Sequence, residues 1–245
     1  MGKFSMHDDI ELKETSLGGG SFLWDSNVYR CIVDMAYFDK SVGGAHSLNL
    51  TLLNSDGKQL KHRLWFTNKK EEVHYINKRT GEKAYLPGYT LANNLALIIT
   101  GEDINEAFEK SEKKMVNVYD FTAKAEKPTE KSVATSLLGK QVKAAIIKQT
   151  VNRRADAGDG VWVPTVETKD ENDIKEFYFD DSDLTVVEKS KGATEALMMP
   201  KWVKRNAGKT MNRVKAVPGD AATAGAYTPT DKPAGKKLFN LKIKS

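Results

Sequence analysis

The sequence predicts a β-dominated fold with one or two helices. Three observations predict it: apolar and polar residues alternate in short runs, Gly-containing turns separate those runs, and Tyr89 to Thr100 is apolar enough for a buried helix.

Residues 1 to 21 are polar, end in Gly18-Gly19-Gly20 and are expected to form a flexible lead-in. The first strand follows over Val28 to Tyr37. Its alternation puts Tyr29, Cys31, Val33 and Met35 on one face and Arg30, Asp34 and Ala36 on the other. Phe38 to His46, with Gly43-Gly44, is expected to be a turn or mobile loop. Ser47 to Asn54 alternates again, with Leu48, Leu50 and Leu52 inward. Asn54-Ser55-Asp56-Gly57 is a hairpin signal, because Gly after Asp permits the positive φ of a tight turn. Leu60 to Thr67 returns as the third strand, and Tyr75 to Asn77 with Lys83 to Leu86 forms a second small hairpin around Thr80-Gly81.

Pro87-Gly88 ends that hairpin, Tyr89 to Thr100 is the helix, and Gly101 closes it. Asp103 is placed to cap a further helical turn. Met115 to Phe121 is a fourth strand, Pro128-Thr129 precedes a short helix ending at Gly139, and Gln141 to Arg153 is a fifth strand with Val142, Ala144 and Ile146 on one face. A strand pair is expected around Val161 to Val166 and Phe177 to Phe179, and a helix through Ala193 to Lys204. Three strands, a helix and two further strands is the order of an OB-fold, a small Greek-key barrel whose second and third strands commonly form an oligonucleotide-binding face. The domain is expected over residues 22 to 188, and residues 189 to 245 as a basic, largely disordered tail.

Charge is distributed unevenly along the 245 residues. The net of +5 divides into +10 for residues 189 to 245 and −5 for the rest, and Glu167 to Glu188 alone holds nine acids against two lysines. A polyanion partner would therefore meet local patches rather than the whole surface. The single cysteine, Cys31, excludes an internal disulfide and a cysteine-rich zinc site. No apolar run approaches the roughly 18 residues of a membrane span and no secretory signal is evident, so a cytoplasmic protein is expected, with no membrane contact.

The stretch from Lys58 to Lys83 carries eight Lys or Arg against three acids, interleaved with aromatics. On the third strand, Leu60, His62, Leu64 and Phe66 point to the core, leaving Lys61, Arg63 and Trp65 facing water. A flat ring beside cations is what holds unpaired nucleotides: the ring takes a base face and the cation a phosphate. The candidate DNA-binding residues are Lys61, Arg63, Lys69, Lys70, Lys78, Arg79 and Lys83 for phosphates, with Trp65, Tyr75 and Tyr85 for stacking. The alternative is that Trp65 covers a second apolar layer while the lysines keep a sheet edge soluble.

Other motifs carry little chemistry. The four histidines show no HExxH or close metal-ligand pair, and Gly208-Lys209-Thr210 lacks the glycine that a phosphate-binding loop needs at position 203, which is Val. Asp180, Asp181 and Asp183 are the one candidate for a Mg²⁺-dependent nuclease, against the simpler reading of a charged turn. No enzyme and no cofactor are expected.

Several short pieces in order resemble the OB-fold single-stranded DNA-binding proteins of tailed bacteriophages. They are the glycine-rich lead-in before Tyr29, the strand through Trp65, Leu86-Pro87-Gly88-Tyr89, Val118-Tyr119-Asp120, Leu138-Gly139-Lys140, Val151-Asn152-Arg153, and Asn206 to Arg213 after Trp202. The resemblance implies sequence-tolerant binding of single strands in phage replication, recombination and repair, without catalysis. Some members of that group also assist transcription, so an accessory protein contacting host RNA polymerase or a recombinase through its basic tail is the alternative. Many single-strand binding proteins end in an acidic peptide that recruits partners. This chain ends in cations, and Glu167 to Glu188 is the stretch that would take that role.

Overall fold

The computed structural model describes residues 23–120, 123–158 and 162–217. The expected lead-in and the distal tail, with Phe121 and Val161, lie outside them. The described chain is mostly β. Its larger sheet has the strand order β9-β8-β1-β2-β3, from β1 (Asn27–Lys40), β2 (His46–Asn54), β3 (Gln59–Trp65), β8 (Gln141–Asp156) and β9 (Trp162–Tyr178). All four pairings along that path are antiparallel. A hairpin of β6 (Glu112–Asp120) and β7 (Ala125–Val133) joins the far end of β1 through Tyr37 and Phe38, and β4 (His74–Ile76) with β5 (Lys83–Tyr85) forms a separate two-stranded ribbon.

The inner face is the one the alternating pattern demands. Leu48, Leu50 and Leu52 of β2, Leu60 and Leu64 of β3, and Val142, Ala144 and Ile146 of β8 are buried together with Ile174 and Phe177 of β9. Over them lies helix α1 (Pro87–Thr100), which packs on β3, β8 and β9 and buries Ala92, Leu95 and Ala96. Gly101, at φ 77°, ends it with its N–H donated to the Leu97 carbonyl. Asp103 caps α2 (Ile104–Glu109) as expected, accepting from the Asn105 and Glu106 amides. Cys31 is buried in this core, and burial pushes its thiol up to about 12, the behaviour of an inert structural cysteine.

The structure departs from expectation at six places, each with a physical reason. A β-bulge between Val33 and Met35 adds one residue to β1, so Cys31 and Val33 face inward, then Ala36 and Phe38, while Met35 turns to the opposite face. Phe38, expected in a loop, is thereby a core residue of a longer strand. Pro128 does not open a helix. It sits in β7 opposite Asn117, away from the short pairing with β1, where a missing N–H costs no second ladder, and only a 3-10 turn over Thr135–Leu137 follows.

The two short segments expected to pair with each other are one 17-residue strand, β9, whose partner is β8. The acid-rich stretch is thus built into the fold rather than free. Residues 189 to 217, expected in the disordered tail, end α3 (Val186–Ser190) and carry α4 (Met198–Asn206) and β10 (Thr210–Asn212), which runs parallel to β8. Tertiary bonds hold this segment: Gly208 N–H donates to the Ser26 carbonyl at 2.8 Å, and Ser26 Oγ donates to the Lys209 carbonyl at 2.5 Å.

The sixth departure concerns closure. β3 and β9 approach each other at the two ends of the strand order, yet no ladder joins them among the described residues, so the sheet curls without closing into a barrel. Side chains and α1 fill the seam instead, with His62 Nε2 3.4 Å from Asp173 Oδ1.

Candidate nucleic-acid interface

β3 places its side chains as alternation requires: Lys61, Arg63 and Trp65 are exposed while Leu60 and Leu64 are buried. Trp65 ends the strand 41 % exposed. Beyond it the Phe66 amide donates to the His46 carbonyl at 3.1 Å, which ties the chain to β2. The Arg63 guanidinium stands over the Trp65 ring, 5.4 Å from its centroid, and Arg63 Nε donates to Asn49 Oδ1 at 2.7 Å on the neighbouring strand. The second bond orients the arginine, so one face of the indole is covered by a fixed cation.

Tyr85, 63 % exposed, stacks on Tyr89 at 4.9 Å with 30° between the rings. Arg63, Trp65 and Tyr85 line one cleft of about 530 Å³ at the seam, whose far wall includes Asp173 and Lys175 of β9. Two flat aromatic surfaces and a guanidinium on one open cleft can accept bases face-on.

Tyr75 is not part of this cleft. On the β4–β5 ribbon Tyr75 pairs with Ala84 and Tyr85 with His74, so the two tyrosines lie on opposite faces. Lys83, opposite Ile76, shares the Tyr85 face, while Lys78 and Arg79 are exposed at the ribbon tip. Lys69 and Lys70 sit in the loop after β3. There Asn68 Oδ1 accepts from the Lys70 and Glu72 amides, and the Glu71 carboxylate holds Lys40 at 2.5 Å. These five cations have no ion-pair partner among the described residues. Lys61 has one, Glu126 at 3.4 Å, but both are exposed and such a pair contributes little.

The bulge in β1 supplies residues that the sequence pattern assigned to the core or passed over. Met35 and Tyr37 join Asn49, Thr51, Lys61 and Arg63 along a second groove of about 680 Å³ beneath the β6–β7 hairpin. It adjoins the first cleft through His62 and Arg63. No pattern in the sequence announces a bulge at that point.

Asp180 and Asp183 are each committed to a cation, Asp180 to Arg30 at 2.6 Å and Asp183 to Lys143. Among the described residues no group of three His, Cys, Asp or Glu side chains is gathered as metal ligands.

The seam itself responds to pH through His62. Burial lowers its pKa from the ordinary 6.5, with Asp173 and Glu171 opposing the shift. The unfolded chain therefore takes up the proton more readily, so stability is full above about pH 6.5 and falls as the pH drops through the lowered native value. Melting temperature is expected to decline between about pH 7 and pH 5, and to decline less in His62→Gln; equal slopes in both proteins would remove His62 as the cause.

No helix among the described residues is long and apolar enough to cross a membrane. Comparison with protein-family models and with curated proteins gives no match.

Proposed function

We propose that this protein binds single-stranded DNA with little sequence preference, without catalysis, in the manner of the phage proteins its motifs resemble. Replication, recombination and repair of DNA in the cytoplasm of a host cell are the processes in which such binding operates. One observation carries the reading: the exposed Trp65, covered on one face by the oriented Arg63, shares a cleft with Tyr85, which is itself stacked on Tyr89. Trp65 is 41 % exposed with the Arg63 guanidinium over its ring, which supports a stacking role over cover for a second apolar layer. Of the exposed loop and ribbon cations, Lys83 shares the Tyr85 face of the ribbon, and Lys69, Lys70, Lys78, Arg79 and Lys83 are the further candidates for phosphate contacts.

Trp65→Ala is expected to weaken binding to oligo-dT by about 1–3 kcal/mol, roughly 5- to 150-fold, and to leave the melting temperature nearly unchanged. Titration followed by tryptophan fluorescence measures the affinity, with a duplex of equal length as the comparison. Undiminished affinity in the folded variant, or equal binding of wild type to single strand and duplex, would overturn the reading.

A further inference from the structure

Strands β8 and β9 continue well past the core as a long arm, and the groove along it is not accounted for by the residues around Trp65. It measures about 870 Å³ and is lined by six cations and two carboxylates, with Trp162, 57 % exposed, at its far end. The two carboxylates are already neutralised within the molecule. Glu171 pairs with Lys169 at 2.9 Å and Asp173 with Lys175. That leaves Arg153, Arg154, Arg213 and Lys215. Arg153 reaches Glu167 only at 3.9 Å with both side chains exposed, and Arg154, Arg213 and Lys215 have no ion-pair partner among the described residues.

These charges come from two distant parts of the chain, β8 and the residues after β10, and are brought together by the fold. The Arg213 amide donates to the Thr150 carbonyl at 2.8 Å, where the chain leaves β10. Asn152 then holds the Lys215 backbone on both sides, accepting its N–H at 2.6 Å and donating to its carbonyl at 3.1 Å. Backbone bonds thus anchor the chain that carries two cations beside β8, while the side chains stay exposed to solvent.

Asp173 and Lys175 line both this groove and the Trp65 cleft, so the two are continuous. From Lys175 to Trp162 the strand extends roughly 40 Å. A track of unspent cations ending in an exposed indole has the makings of a single-strand channel: phosphates follow the charge and a base stacks on the ring.

We propose that single-stranded DNA held at Trp65 continues onto the β8–β9 arm, where Arg154, Arg213 and Lys215 hold phosphates and Trp162 stacks on a base. This rests on the DNA-binding reading above, and oligonucleotide length separates the two. Triple substitution Trp162→Ala, Arg154→Ala, Arg213→Ala removes three exposed side chains, and a thermal melt checks the fold. Binding to oligo-dT of about 8 nucleotides is expected to change less than about 2-fold. Binding to about 24 nucleotides is expected to fall by about 10-fold or more, with the slope of log K against log salt shallower by about 1.4, two phosphate contacts at roughly 0.7 each.

Unchanged affinity and slope for the long oligonucleotide, while Trp65→Ala still weakens it, would overturn the arm proposal and leave the Trp65 cleft standing. Equal losses at both lengths would overturn it too, since the arm would then belong to the primary site. A wild-type protein that binds no single strand of any length would sink both.

Discussion

Phe177→Ala is expected to destabilise the protein by about 3–5 kcal/mol. The ring is fully buried in the core, on the inward face of β9. What decides the size of the effect is how little can move in to replace it. Its cross-strand partner is Ala144, and α1, which packs on the same strand, offers Ala92 and Ala96 among its buried residues. Such short side chains cannot extend into the gap, so the cavity persists and its cost adds to the lost transfer energy. Phe177→Leu keeps most of the volume and is expected to cost less than about 1.5 kcal/mol. Urea unfolding measures both as a lower midpoint at constant slope. An unaltered midpoint in Phe177→Ala would mean that β9 is not docked on the core in this register.

The register of β9 also shows where sequence reading ran short. Its core signal is interrupted: Ile174 pairs with Ile146 and Phe177 with Ala144, three residues apart on one strand and two on the other, because Lys175 is accommodated by a bulge. An alternating template breaks there, and the acids on either side suggest a polar linker. The same physics hid Met35, which an unbroken period assigns to the core. Where the strand is regular, as in β3, alternation alone placed Lys61, Arg63 and Trp65 on the outer face. Tyr75 lies on the ribbon face opposite Tyr85, which the sequence could not show. Its aromatic character was plain, but in a three-residue strand only the pairing partner reveals which side it faces.

The groove on the arm was not legible for a different reason. Arg154, Lys169 and Arg213 are scattered through the sequence, and two of them lie beside residues that lower the local net charge, Asp156 and Asp170. Composition reports a basic tail and an acidic stretch. The ladder of β8 with β9 and the parallel addition of β10 turn parts of both into one lined groove.

Gly88→Ala is expected to lower stability by about 2 kcal/mol and to weaken DNA binding as well. Gly88 is in the first turn of α1, after Pro87, whose fixed φ suits a helix start. By helix propensity alone, alanine there would gain about 1 kcal/mol. The opposing effect is larger. A Cβ on Gly88 would lie 2.0 Å from the Trp65 carbonyl oxygen and 2.7 Å from its carbonyl carbon. Both atoms are backbone, so no rotamer change relieves the overlap, and either β3 or the helix start must shift at a cost near the upper end of roughly 1–3 kcal/mol. That shift moves Trp65 relative to Tyr85, the second aromatic surface of the cleft, which is stacked on Tyr89. Trp65→Ala should therefore lose affinity at constant stability, whereas Gly88→Ala should lose both. Urea midpoints and oligo-dT titrations on the two variants separate the cases. A Gly88→Ala protein that is more stable than wild type and binds equally well would mean that propensity wins, and that α1 does not start against the backbone of Trp65.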